Sequence, residues 1–112
     1  MDHSDVYIGS DQDGYLLKQK IEEYLEGKGM HVVDLGVFSI GEQADYADVA
    51  REVVEKVREN PGVRGILVSN SGVGMCMTAN RYPGIRAVCC IDEALARKAR
   101  EETDSNVICL GG

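Results

Sequence analysis

The 112-residue sequence predicts an α/β domain: a doubly wound, five-stranded parallel sheet of order 2-1-3-4-5 between two helical layers. Three observations lead there. Five short apolar runs rich in β-branched residues recur along the chain, segments of helical spacing separate them, and Gly or Pro stands at the junctions. Strict alternation of strand and helix requires crossover connections, and crossovers make parallel sheets.

The runs are Val6 to Gly9, Val32 to Val37, Gly65 to Val68, Ile85 to Cys90 and Val107 to Leu110. Their near-continuous apolar character suits strands buried on both faces. Leu16, Leu17, Ile21, Tyr24 and Leu25 mark a first helix, which Gly27 and Gly29 end. Val49, Val53, Val54 and Val57 mark a second, stopped by Asn60-Pro61-Gly62. A third ends at Tyr82-Pro83-Gly84, and a fourth carries Ala94, Leu95 and Ala99 behind an Asp92 N-cap. The sequence closes on Gly111-Gly112 directly after the fifth strand, so no final helix is expected over that strand's outer side.

Composition narrows the function. With a formal net charge of -7, a broad polyanion such as duplex DNA is repelled, and nucleic acid is not expected as a partner. A small phosphorylated molecule remains compatible, because a few backbone donors and local charges suffice to hold it. No apolar run approaches the length of a membrane helix and the N-terminus has no signal-peptide pattern, so a cytoplasmic protein without membrane contact is expected. Cys76, Cys89, Cys90 and Cys109 lack C-x-x-C spacing and read as reduced, packed thiols rather than a metal site.

In a sheet of this order a ligand crevice opens beyond the carboxyl ends of the first and third strands. The residues expected there are Gly9 to Gly14 and Ser69 to Met75. The second stretch offers consecutive N–H groups for an anion, with Gly72 and Gly74 allowing close approach; a tight turn that needs Gly only for its backbone angles is the plainer alternative. Asp11 is placed either to orient hydroxyls and move a proton or to form an Asx turn into Gly14. Tyr46 either reaches the crevice or packs the start of the second helix.

Taken together, Gly9-Ser10-Asp11 with Gly14, Asp45-Tyr46, the stretch Gly65 to Met75, Ala79-Asn80-Arg81, Gly84-Ile85-Arg86-Ala87 and Asn106 to Gly112 resemble the signature of ribose-5-phosphate isomerase B and the galactose-6-phosphate isomerase subunits. The resemblance spans nearly the whole chain and implies one Rossmann-like domain over residues 1–112. It implies carbohydrate metabolism of the pentose phosphate type: a sugar phosphate whose ring is opened and whose proton moves between C1 and C2 through a cis-enediolate, with no metal or organic cofactor. It further implies a homodimer or a tetramer. On this basis Ser69, Ser71, Asp11 and Glu102 are candidate catalytic residues. Gln12, Tyr46, Asn70, Gly72, Val73, Gly74, Met75 and Thr103 are candidate substrate contacts, with backbone N–H groups from Asn70 to Gly74 facing the developing oxyanion.

Departures from the family pattern are as informative. Ser69 stands where the commoner type has its cysteine base, and Met75 where the other type has a glutamate. Gln12 and Glu102 replace histidines, and Thr103 replaces an asparagine. His3 and His31 fall on no motif position. The family's C-terminal helices, with their phosphate-binding arginines, have no counterpart in these 112 residues; Arg86 and Arg100 remain as cations that either contact substrate or merely brace a strand and a helix. Two readings stay open: an isomerase using Asp11 or Glu102 for proton transfer, and a binding or structural homologue that has lost catalysis. A receiver module fits poorly, because Asn70 and Leu110 stand where it needs an Asp and a Lys.

Overall fold

Residues 5–111 are described by the computed structural model; His3 and Gly112 lie outside them. The elements run β1 (Asp5–Ser10), α1 (Tyr15–Gly27), β2 (His31–Asp34), α2 (Tyr46–Glu59), β3 (Arg64–Ser69), α3 (Val73–Ala79), β4 (Ala87–Cys89), α4 (Glu93–Thr103) and β5 (Val107–Gly111). All pairings are parallel, and the order is 2-1-3-5-4. The doubly wound parallel sheet is therefore as expected, with the last two strands exchanged. β5 enters beside β3 because Asn106 stitches the strand starts together: its carbonyl accepts from Gly65 N–H at 2.9 Å and its Oδ1 accepts from Arg86 N–H at 2.9 Å. The three-residue β4 is left at the edge.

Helices cover both faces. Beneath α2 and α3, Val49, Val53, Val54 and Val57 meet Leu67, Met75, Val107 and Cys109. These valines recur at helical spacing, which is why α2 turns one stripe inward. Each fully buried valine side chain contributes about 1.5–3 kcal/mol relative to its exposed state. Val53→Ala would open a cavity at the centre of this layer, since Val53 is 0% exposed and Gly65 and Gly9 press against its methyls. On the opposite face Leu17, Ile21 and Leu25 of α1 cover Val6, Ile8, Ile66 and Val68. Among its described side chains, the fourth helix turns the small Ala96 and Ala99 towards the sheet. Ile108 and Leu110 consequently line a groove between α1 and α4.

Asp92 caps α4 as expected, its Oδ1 accepting from Leu95 N–H at 2.7 Å. β2 is shorter than its apolar run because Gly36, at φ 106, interrupts the ladder, although Leu35 and Val37 still donate to Ile8 and Ser10 carbonyls. Cys90 and Cys109 are buried, while Cys76 and Cys89 are only half-buried; all four thiols are free. Burial pushes the Cys76, Cys90 and Cys109 thiols above their ordinary range. Among the described residues no helix is long and apolar enough to cross a membrane.

Candidate functional site

β1 and β3 are neighbours whose following helices lie on opposite faces, so the chain diverges at their carboxyl ends. The two loops expected to form a site meet there. Asp11 N–H donates to Val68 O at 3.3 Å, and a Cβ on Gly14 would stand 2.3 Å from that same oxygen. Only a glycine admits so close a crossing of two backbones. Asp11 itself is buried, with Oδ1 accepting from Asp13 N–H at 3.1 Å and Gly14 N–H at 3.0 Å. It forms the Asx turn and at the same time presents a carboxylate at the switch point. Burial is the main influence on that carboxyl and raises its pKa; the Gly14 N–H opposes this and the Asp13 charge adds to it.

Ser69 and Ser71 shape the glycine-rich loop from inside. Ser69 is buried, and its Oγ accepts from Gly72 N–H at 2.9 Å. Ser71, on the exposed side, accepts from Val73 N–H at 3.2 Å. Two of the backbone donors expected to face an anion are thus engaged by serine hydroxyls, which turn the chain through Gly72 at φ 81. Gly72 and Gly111 let this loop rest on the end of β5: added Cβ atoms would lie 3.1 Å from the Leu110 backbone and 2.9 Å from Asn70 O.

Tyr46 opens α2 behind the Asp45 cap, which accepts from Ala47 N–H at 2.8 Å. Its ring lies over Gly74, where a Cβ would come within 2.8 Å of it, and the tyrosine stays 46% exposed. Gln12 Oε1 accepts from Ala44 N–H at 3.1 Å and ties the Asp11 loop to the approach of α2. On the other side of the loop, Asn70 and Ser71 border a cavity of about 540 Å³ floored by Leu17 and Leu110 and edged by Asp92. That volume falls within the usual range of small-molecule sites. Asp11 and Tyr46 do not line it.

Asp11, Gln12, Tyr46 and the loop Ser69 to Gly74 are therefore gathered around one strand end, with three candidates placed elsewhere. Met75 points its side chain into the core at 0% exposure, leaving only its backbone towards the loop. Glu102 and Thr103 end α4, which runs back towards the strand starts, where Arg100 and Asp104 share a cavity with Arg64. Within one chain this separates Glu102 from the Ser69 end of β3 by roughly 17–20 Å, the length of a six-residue strand. Thr103 Oγ1 donates to Ala99 O. Arg86 and Arg100 take the bracing roles, both engaging Asp104 at the end of α4.

Sequence reasoning missed Lys18. Its side chain is wholly buried beside Asp34, holding the turn after β2 that flanks Ser10. The available signal was its position beside Leu17 and one turn before Ile21, on the inward face of α1.

Fold and loops together define a parallel α/β protein with a glycine-rich loop at its topological switch point. The Ribose/Galactose Isomerase family model matches residues 6–112. A probable ribose-5-phosphate isomerase B of Mycoplasma pneumoniae is 39% identical over 105 residues, covering 94% of this chain and 69% of that protein. The D-erythrulose-4-phosphate isomerase of Pectobacterium atrosepticum is 39% identical over 106 residues, with 95% and 70% covered. The crystal structure of ribose-5-phosphate isomerase B from Mycoplasma genitalium with bound ribulose-5-phosphate superposes with a TM-score of 0.90 at 40% identity, covering 96% of this chain and 71% of that one. The chain belongs to the ribose/galactose isomerase family.

Proposed function

We propose that the protein is a cytoplasmic aldose–ketose isomerase of a short-chain sugar phosphate, with ribose 5-phosphate and ribulose 5-phosphate as the first pair to test. The observation carrying this reading is the serine-turned loop Ser69 to Gly74, set at the switch point against Asp11 and beside a cavity of sugar-phosphate size. Isomerisation through an enediolate needs a group that moves a proton between C1 and C2 and donors that meet the oxyanion. Asp11 is the better base of the two carboxylates, because it stands at this strand end and burial raises its pKa, whereas Glu102 lies at the other end of the sheet. Ser69 serves the loop, its oxygen already engaged by Gly72 N–H.

The D-erythrulose-4-phosphate isomerase among the relatives makes a four-carbon substrate the second choice. A homodimer belongs to the same proposal: Tyr46, Val73 and Met77 expose apolar surface around the loop, as do Phe38 and Ile40 beyond β2. Sedimentation that gives a monomer at high micromolar concentration would oppose it.

The commitment of Ser69 to the loop also favours a second reading, a homologue that binds the sugar phosphate without turning it over. The test is an isomerisation assay on ribose 5-phosphate and erythrulose 4-phosphate, with solvent deuterium incorporation at C2. It is run on wild type, Asp11→Asn, Ser69→Ala and Ser69→Cys. Loss of exchange in Asp11→Asn with activity retained in Ser69→Ala supports the isomerase with Asp11 as base. Equal activity in wild type and Asp11→Asn removes Asp11 from that role, and binding without exchange in every variant establishes the second reading.

A further inference from the structure

At the end of the sheet opposite the glycine-rich loop, a cavity of about 390 Å³ gathers Arg58, Arg64, Arg86 and Arg100, four of the seven arginines in a chain of net charge -7. Asp104 is the one carboxylate among the described residues that lines it. Two turns of the same design build its walls. Pro61-Gly62-Val63-Arg64 leads into β3 and Pro83-Gly84-Ile85-Arg86 leads towards β4. In each the glycine takes positive φ, 93° at Gly62 and 83° at Gly84, and the β-branched residue is buried, Val63 at 5% and Ile85 at 7%. Each turn closes through one backbone bond, Val63 N–H to Asn60 O at 3.1 Å and Ile85 N–H to Tyr82 O at 3.2 Å. The burial of Val63 and Ile85 anchors each turn and leaves the following arginine at a strand start.

Asn106 locks the two turns at a fixed separation. Besides the bonds to Gly65 and Arg86, its Nδ2 donates to Gly84 O at 3.0 Å. Arg86 and Arg100 are held by the loop before β5: Arg86 Nε donates to Asp104 O at 2.7 Å, and Arg100 Nη1 to Asp104 Oδ1 at 2.7 Å. Arg58 and Arg64 are exposed, and their guanidinium groups form no hydrogen bond or ion pair with another described residue. Arg58 borders a neighbouring cleft with Glu55 and Glu59, but Glu55 pairs instead with Arg51. The result is a rigid frame carrying two oriented guanidinium groups and two uncommitted ones.

We propose that this cavity is a binding site for a compact, non-aromatic polyanion carrying two phosphate groups, such as a diphosphate or a sugar bisphosphate. Guanidinium forks match phosphate oxygens in pairs; Arg86 and Arg100 are already oriented by Asp104, and Arg58 and Arg64 have no side-chain partner among the described residues to give up. The cavity exceeds what a single phosphate fills. Among the described residues no aromatic ring lines it, so they offer no platform on which a nucleotide base would stack. Its position about one strand length from the Ser69 loop makes it distinct from the proposed catalytic site.

The experiment titrates the full chain with inorganic pyrophosphate, a hexose bisphosphate, inorganic phosphate and ADP by calorimetry and amide NMR at about 0.15 M salt. Wild type is compared with Arg58→Ala/Arg64→Ala and, as a control on the same helix, Arg51→Ala. Expected are saturable pyrophosphate binding with shifts at Val63 to Gly65, Arg86 and Asn106, and weakening of about a hundredfold in the double variant, tenfold for each charge-assisted contact. Arg51→Ala should bind as wild type does. A preference for the bisphosphate over pyrophosphate identifies the sugar form, and the reverse identifies the diphosphate. The proposal is overturned by shifts confined to Asn70–Met75, by unchanged binding in the double variant with its fold intact, by binding that vanishes at this salt, or by ADP binding more tightly than pyrophosphate. None of these readouts depends on isomerase activity.

Discussion

Lys18 Nζ stands 2.7 Å from both carboxylate oxygens of Asp34, with the lysine side chain 0% exposed. The ammonium also donates to Val37 O and lies 5.4 Å and 5.7 Å from the ring centres of Tyr15 and Phe38. All of its donors are thereby directed at the turn that follows β2, whose Gly36 and Val37 bond to Ser10. The pair joins α1 to the strand end from which Asp11 projects. Lys18→Met keeps the stem's volume but leaves the Asp34 charge and the Val37 carbonyl without their partner. The expected loss is about 3–5 kcal/mol of stability, read from urea unfolding. Lys18→Met/Asp34→Asn should recover part of it, since no uncompensated charge remains. Additive losses in that cycle would show that the two groups do not act as a pair.

Glu22 lies one helical turn beyond Lys18 and shares Asp34 with it. Burial, then the hydrogen bond to Asp34 and the Asp34 charge, push the Glu22 carboxyl up from 4.5 to about 7. A raised carboxyl means that the folded state holds its proton more tightly than the unfolded chain. The resulting contribution is fully present below the unfolded value and is lost as pH rises through about 7. Glu22→Gln removes the titration, so its thermal midpoint should exceed that of wild type at about pH 8 and draw level at about pH 5. A constant offset between the two proteins across this range would contradict the linkage.

Gly14 carries the close crossing of the first loop over β3. A Cβ there would meet Val68 O at 2.3 Å and Ser69 N at 2.9 Å, both backbone atoms with no rotamer to change. Gly14→Ala must therefore move one strand end against the other. The expected cost is about 3 kcal/mol or more, at the upper end for overpacking, together with displaced Ser69 and Asp11 amides in the NMR spectrum. Gly27→Ala is the control, because nothing lies within 4 Å of its added Cβ.

Most of this architecture was legible in the sequence. Val49, Val53, Val54 and Val57 fall inward as their spacing requires, and the Asp11-x-Asp13-Gly14 pattern becomes an Asx turn. The exchange of the last two strands was not legible, because the runs beginning at Ile85 and Val107 are similarly apolar and neither shows the alternation that marks an edge. β5 lies inside because its ladder and the Asn106 carbonyl bond to β3 while the Asn106 side chain bonds to the turn before β4, and those bonds become visible only in three dimensions. Glu102 shows the same limit from another direction. A motif position names the residue, but the direction of α4 puts it at the far end of the sheet. Lys18 was passed over because lysine in a helix normally faces water, and here three acceptors repay its desolvation.

Asp11 allows structure and chemistry to be separated by one pair of substitutions. Its Oδ1 accepts from the Asp13 and Gly14 N–H groups, so the Asx turn needs an oxygen at that position but not a charge. Asp11→Asn supplies the oxygen, whereas Asp11→Ala removes it and exposes two orphan donors, at a cost of about 1–3 kcal/mol. Because burial raises the native carboxyl's pKa, ionising Asp11 costs stability as pH rises past its unfolded value of 3.8. Asp11→Asn should therefore match or exceed wild type in thermal midpoint at neutral pH. Proton exchange at C2 of a bound sugar phosphate should nonetheless fall by about two to four orders of magnitude, the range for loss of a general base. In wild type the acid limb of the rate profile should lie above the ordinary carboxylate range, in the direction of the Asp11 shift. An acid limb that persists unchanged in Asp11→Asn would assign the proton to another group and leave Asp11 as the turn residue alone.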